Sequence, residues 1–146
     1  MKTKATALLL AILILTTFTI LTACKATPNQ DPEQQATSAE LIPAGEIGEG
    51  SVTFRFEVTD DTGTIKAWNV NTNHSIVGDA LLEVGLISGD VGSLGLMVTE
   101  VNGLTADYMV NESWWAFYIS GEFAMTGVDS TDIEFGRVYA FVYTIG

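Results

Sequence analysis

Hydrophobic and polar residues alternate strictly near the middle of the chain. In SVTFRFEV, Val52, Phe54, Phe56 and Val58 share one face, and the residues between them are polar or charged. A period of two is typical of a strand with one buried face. The turn-forming stretch DDTG and a second apolar run, TIKAWNV, come next, so the pattern predicts a β-hairpin over residues 51–70.

The following segment changes to the spacing of a helix. From Val77 onward, the apolar residues of VGDALLEV recur at i, i+3, i+4 and i+7, which places them on one helical face. Ser75 is predicted to be the N-cap of this helix. Gly85 or Gly89 is predicted to end it.

Strand-length apolar runs return after the helix. LGLMV leads to Asn102-Gly103, WWAFYI and EFAM flank Ser120-Gly121, and RVYAFVYTI closes the chain. Short turn dipeptides between such runs are typical of tight hairpins. The predicted order is β-β-α-β-β-β-β, an α+β domain over residues 51–146.

The N-terminus has the order of a secretory signal. Lys2 and Lys4 precede an apolar run over residues 7–21, and the sequence LTAC ends at the only cysteine, Cys24. LTAC resembles the lipobox of bacterial lipoproteins, so residues 1–23 are predicted to be a cleaved signal peptide. The alternative is an anchor that stays attached and spans the membrane, for which the run is short against roughly 20 apolar residues.

Composition and charge extend this picture. Residues 24–50 are rich in Gln, Glu, Pro, Ala and Gly and carry no aromatic residue, so they are predicted to be a flexible tether.

Cleavage before Cys24 removes two of the six basic residues and none of the 18 acids, which changes the formal charge from −12 to −14. Nucleic acid is therefore not an expected partner. We expect acyl chains such as palmitate on Cys24 to hold the protein on the extracytoplasmic face of the cell membrane.

Several segments together resemble one protein family. LGLMVTEVNGLTADY, SWWAFYISGEFAMTGVDST and GRVYAFVYT, preceded by GDALLEVGLI, resemble the bacterial domain DUF4430, which is similar to the C-terminal domain of transcobalamin and intrinsic factor. The resemblance implies a β-grasp-like mixed sheet with one packed helix and an extra hairpin. In the vertebrate relatives this domain covers one side of bound cobalamin, beside a separate helical domain. This sequence has no stretch resembling that helical domain, and it has Phe135-Gly136-Arg137 where relatives commonly carry Asp-Gly-Asp.

Aromatic residues lie on both faces of the predicted C-terminal strands. Because one helix covers only one face of a sheet, two interpretations stay open. Loops or a curled sheet cover the second face, or an aromatic platform remains exposed and binds a ligand. The predicted ligand-binding residues are Trp114, Trp115, Tyr118, Tyr139, Tyr143 and, on the preceding strand, Met97.

The sequence offers little support for catalysis. His74 is the only histidine and Cys24 is assigned to lipid, so no nucleophile and base pair is evident, and we expect no enzyme activity. Asp129, Asp132 and Glu134 are oxygen donors that suit Ca²⁺, but their spacing is not that of a calcium loop, and turn capping is the favoured interpretation.

Two main functions remain open at this point, and a third, an accessory domain with no ligand of its own, is less favoured. The first is a non-catalytic lipoprotein that binds a flat apolar ligand, for which the resemblance suggests cobalamin or another corrinoid. The second is an adhesion or assembly module whose aromatic surface meets another protein. No cofactor beyond such a ligand, and no metal site, is expected.

Overall fold

The computed structural model describes residues 41–146, and the predicted signal peptide, Cys24 and most of the tether lie outside them. Within this range the chain forms nine strands, two helices and one 3₁₀ turn. The strands are β1 (Gly45–Gly48), β2 (Val52–Thr59), β3 (Ile65–Thr72), β4 (Ile87–Gly92), β5 (Gly95–Val101), β6 (Leu104–Thr105), β7 (Ser113–Ile119), β8 (Glu122–Phe123) and β9 (Val138–Ile145). The helices are α1 (Val77–Glu83) and α2 (Tyr108–Asn111), and the 3₁₀ turn is Val128–Ser130.

The strands form two sheets. The larger has the order β1-β3-β2-β9-β7-β8, and the smaller has the order β4-β5-β6. In the larger sheet β2 and β3 form the predicted antiparallel hairpin. β9 runs parallel to β2 and antiparallel to β7. A mixed sheet, one main helix and a separate hairpin sheet confirm the predicted α+β class.

The turn between β2 and β3 is held by one carboxylate. Asp60 Oδ1 accepts the Thr62 hydroxyl at 2.6 Å and the backbone N–H groups of Thr62 and Thr64 at 3.0 and 2.9 Å. The Thr62 hydroxyl is the largest cause of an Asp60 pKa below its usual value, and the two amides and the charge of Lys66 add to it. The turn predicted from DDTG is confirmed.

Strand β1 lies in the stretch that composition assigns to the tether. It pairs in parallel with β3. Just before it, Pro43 O accepts a hydrogen bond from Trp68 Nε1 at 2.8 Å, and Ile42 N–H donates to Asn102 Oδ1 at 2.8 Å. The structure thus differs from the tether prediction over residues 42–48, because bonds to distant residues order a segment with little apolar content.

The start of α1 also differs from the prediction. Ile76, and not Ser75, is the N-cap, and it has no side-chain oxygen to accept a helix amide. The Val77 N–H donates instead to Thr131 O at 2.9 Å. A loop from the C-terminal half of the chain therefore replaces the predicted serine cap.

The end of α1 is at the predicted glycine. Gly85 has a φ of +70°, its N–H donates to Leu82 O, and the Leu86 N–H donates to Leu81 O. These two bonds form a Schellman motif. Gly89 lies in β4, a strand that the apolar pattern did not predict, since five of its six residues are exposed.

Two hairpin turns are confirmed. Asn102 and Gly103 have φ values of 46° and 77°, and Ser120 and Gly121 have 50° and 86°. Positive φ at both central residues is the geometry of a type I′ turn.

One hydrophobic core joins the inner face of the larger sheet, α1 and the smaller sheet. Its fully buried members include Phe56, Trp68, Val70, Val77, Leu81, Leu86, Val101 and Tyr139. Within residues 41–146 no helix has the length and apolar content needed to cross a bilayer.

Candidate functional site

A cleft of about 430 Å³ opens between the two sheets. Pockets for small molecules measure about 300 to 1,000 Å³ and are mostly apolar, with few polar groups. The walls of this cleft carry no charged side chain. The lining residues are Leu96, Met97 and Val98 of β5; Ala106 and Tyr108; Ser113, Trp114, Trp115 and Phe117 of β7; Gly127 and Val128; and Phe141 of β9.

Asp129 holds the β5 wall of the cleft in place. Its Oδ2 accepts the backbone N–H of Leu96 at 2.9 Å. The carboxylate lies so close to Gly95 that a Cβ there would come within 2.6 Å of Oδ2. The loop that carries Asp129 is closed by Thr131, whose hydroxyl donates to Gly127 O at 2.8 Å. Two walls of the cleft, β5 and this loop, are therefore tied together.

Helix α2 forms the rim on another side. Asp107 caps it by accepting the Met109 N–H at 2.8 Å, and Glu112 ends it with a φ of 56°. The ring of Tyr108 lies 6.2 Å from that of Trp114, measured between centroids. Trp114 is 38% exposed and Tyr108 is 61% exposed. A bound molecule could therefore contact both rings.

The floor of the cleft is made of buried aromatic residues. Trp115 donates from Nε1 to Leu104 O at 3.2 Å and meets the ring of Tyr143 edge-on at 5.3 Å. The rings of Phe117 and Phe141 lie 5.1 Å apart beside it. Because these rings are packed and the indole is hydrogen-bonded, the floor is formed before any ligand binds.

Three of the predicted ligand-binding residues meet at this cleft. Trp114 and Trp115 lie on β7, and Met97 lies across from them on β5. Trp115 is buried in the floor, whereas Met97 is 70% exposed at the rim. The structure therefore brings together two residues that are neighbours in sequence and one that is distant.

The other three predicted residues lie elsewhere. Tyr139 and Tyr143 share the inner face of the larger sheet with Trp115, since Tyr143 is the cross-strand partner of Trp115. Tyr139 is fully buried, and its hydroxyl bonds to backbone groups of the preceding loop. Tyr118 is on the opposite face, beside Phe123. The six predicted residues therefore do not form one platform: Trp114 and Tyr118, four residues apart on β7, share its outer face, whereas Tyr139 and Tyr143 lie on the inner face.

The sequence pattern did not predict several residues of the cleft. Ala106, Tyr108 and Val128 lie in segments that the pattern assigns to loops. A signal for one of them was present: Tyr108 opens the apolar run YMV in an otherwise polar stretch.

Two of the three acids considered for Ca²⁺ have separate structural roles. Asp129 binds the β5 backbone, and Glu134 forms an ion pair with Arg137 at 3.2 Å. Among residues 41–146, no group of three or more His, Cys, Asp or Glu side chains is placed to hold a metal ion.

We predict that Asp129→Ala lowers the free energy of unfolding by about 1 to 3 kcal/mol, because the Leu96 N–H loses its acceptor. Urea unfolding of the chain from Lys25 onward measures this change. Asp90→Ala, which removes an exposed acid from β4, is the control, with an expected change within about 0.5 kcal/mol. Equal effects of the two variants would contradict the role given to Asp129.

The fold and the cleft define a class: small α+β domains with an apolar cleft between a mixed sheet and a hairpin sheet. The chain belongs to the DUF4430 family, a domain of unknown function, which matches residues 65–144. A comparison with curated proteins gave no match.

Two solved structures are similar to this chain. A candidate metal-binding protein from Ruminococcus gnavus ATCC 29149 is 25% identical, with a TM-score of 0.62, over 66% of this chain and 99% of that protein. Haptocorrin in complex with Cbi, a cobinamide, is 18% identical, with a TM-score of 0.53, over 68% of this chain and 26% of haptocorrin. The second likeness supports the transcobalamin-like relation at the level of fold.

Proposed function

We propose that this protein is a lipid-anchored, extracytoplasmic, non-catalytic binding protein, and that the cleft between β5, α2 and β7 is its ligand site. The observation that carries the proposal is the cleft itself. It has an uncharged aromatic floor, two exposed rings at its rim, and a volume of about 430 Å³. Aromatic rings of this kind offer flat apolar contact with one polar handle each, which suits a flat ligand.

A corrinoid is the ligand class that we propose. Haptocorrin, whose structure contains a cobinamide, supports the choice through its similar fold. The similar part spans only about a quarter of haptocorrin, 26%. A corrinoid is larger than this cleft, so the domain would hold one side of the ligand and leave the other side accessible.

A titration with cobinamide tests this proposal. Tryptophan fluorescence of the chain from Lys25 onward, corrected for inner-filter absorption and checked by calorimetry, should show saturable binding. Trp114→Ala should weaken binding by about tenfold, since an aromatic contact at the rim is lost. Tyr118→Ala is the matched control, because Tyr118 packs on Phe123 at the far end of β7 and does not line the cleft, and it should bind normally. Absence of binding at millimolar cobinamide would refute the corrinoid proposal.

Membrane anchoring rests on the sequence around Cys24. The LTAC stretch supports cleavage before Cys24 and acylation of its thiol, and two or more acyl chains make attachment stable. We predict that labelled palmitate is incorporated into the wild-type chain and not into Cys24→Ser. Fractionation should find the wild type with membranes and the variant released from them. An unlabelled wild-type chain would contradict the proposal.

A protein-interaction role is the second candidate, and one observation favours it. Exposed apolar side chains occur at the cleft and in segments next to its walls. Met97 and Tyr108 line the cleft, Met109 and Val110 follow Tyr108 on α2, and Met125 is in the loop before the 3₁₀ turn. Exposed apolar patches of this kind are often interaction surfaces.

A further inference from the structure

The edge of β7 beside the cleft is open. On one side β7 pairs with β9 along its whole length. On the other side it pairs with β8 only through Tyr118 and Ile119. No strand of the described chain pairs with residues 113–117 on that side, a length of about 13 Å. Unpaired strand edges are sites where another strand can add.

Backbone hydrogen-bonding groups point outward at this edge. The Ala124 N–H donates to Phe117 O at 2.9 Å, so the Phe117 backbone faces away from β9. At the other end of β7, Glu112 O accepts a hydrogen bond from the N–H of Gly146, the residue that follows β9. The Glu112 backbone therefore faces the β9 side and not the open edge. Backbone direction alternates along a strand. The N–H and C=O of Trp115 therefore point to the open edge.

Side chains follow the same alternation. Residues whose backbone faces the open edge place their side chains on the inner face, where Trp115 and Phe117 form the floor of the cleft. A strand added opposite Trp115 would direct every second side chain into this apolar cleft. Its other side chains would lie on the outer face, beside Trp114.

The charges around the open edge are negative. Asp107 and Glu112 lie at one end, and Glu122 of β8 lies at the other, all exposed. The three basic residues of the described chain are elsewhere: Arg55, Lys66 and Arg137 lie on β2, on β3 and in the loop before β9. Complementary charge and the exposed indole of Trp114 favour Lys or Arg on the outer face of the added strand.

We propose that the open edge of β7, together with the cleft, binds an extended peptide segment of a partner protein in which apolar residues alternate with Lys or Arg. Backbone bonds to Trp115 align the segment, and the cleft selects its apolar side chains. This inference goes beyond the binding of a corrinoid and does not depend on it.

Acetyl-KVKVKVK-amide is the test ligand, added to the chain from Lys25 onward. Calorimetry should show saturable binding, and NMR should show the Trp115 amide proton moving downfield as it becomes hydrogen-bonded. The same peptide N-methylated at its valines loses the donors that face β7, so it should bind about tenfold more weakly. The equally charged KSKSKSK, which lacks the apolar side chains, should also bind about tenfold more weakly.

Two variants locate the site. Met97→Lys places a like charge at the rim of the cleft and should weaken binding, whereas Ile65→Lys, at a similarly exposed position on β3, should not. The proposal is overturned if KVKVKVK does not bind at millimolar concentration or if its N-methylated form binds equally well. It is also overturned if the NMR chemical-shift changes caused by the peptide map to β1 instead of β7. Failure of cobinamide to bind in its own titration refutes the corrinoid proposal and leaves the peptide result unchanged.

Discussion

Replacement of Trp68 by alanine is expected to lower the free energy of unfolding by about 3 to 5 kcal/mol. The indole is only 1% exposed and lies 6.0 Å from the ring of Phe56, between centroids. Its Nε1 donates to Pro43 O at 2.8 Å. Alanine would leave a cavity in the core and would remove the donor that holds the residues before β1. Both losses lower the free energy of unfolding.

Urea unfolding of the chain from Lys25 onward measures this effect. Trp68→Phe keeps a ring in the core but lacks the N–H, so it separates packing from the hydrogen bond to Pro43. Trp114→Ala is the matched control, since its ring is partly exposed, and its stability should fall by less than in Trp68→Ala. Hydrogen exchange of the β1 amides should speed up in both Trp68 variants. A loss below about 1 kcal/mol for Trp68→Ala would show that the core is not organised around this residue.

Replacement of Gly78 by alanine is expected to destabilise the protein by about 1 to 3 kcal/mol. Helix propensity alone predicts the opposite sign, because alanine is favoured over glycine by about 1 kcal/mol inside a helix. A Cβ at Gly78 would lie 2.9 Å from the Cα of Asp129 and 3.0 Å from its backbone nitrogen. Backbone atoms cannot rotate away as a side chain can, so α1 and the 3₁₀ turn would have to separate.

The consequence should reach the cleft, because Asp129 also holds β5. Thermal unfolding measures the stability change, and the NMR shift of the Leu96 amide reports whether its bond to Asp129 persists. Glu83→Ala, at an exposed position of α1, is the control, with an expected change within about 0.5 kcal/mol. Increased stability of Gly78→Ala would mean that a Cβ at residue 78 fits between α1 and the Asp129 backbone without moving them apart.

Several elements could be predicted from the sequence because their causes are local. Alternation in VTFRFEV decides which side chains of β2 are buried, and the observed strand buries Phe54, Phe56 and Val58. Asn102-Gly103 forms a tight turn because its residues adopt positive φ at low cost. Gly85 ends α1 for the same reason.

The candidate site was only partly predictable. Trp114, Trp115 and Met97 were predicted and do meet at the cleft. Tyr108 was not predicted, because it contributes through a one-turn helix that has no periodic signal. The β9 tyrosines were assigned to the same surface as Trp114, because alternation defines two faces of a strand without saying how neighbouring strands are aligned.

The sequence by itself determined the α+β class, the family, the main strands and the tight turns, since these follow from residue period and from local backbone preferences. The tertiary structure decided which face of the larger sheet is covered, that β1 joins the sheet through Pro43 and Ile42, and that β5, α2 and β7 enclose a cleft. Those features depend on strand register and on hydrogen bonds between residues far apart in the chain. A pattern read along the chain does not contain that information.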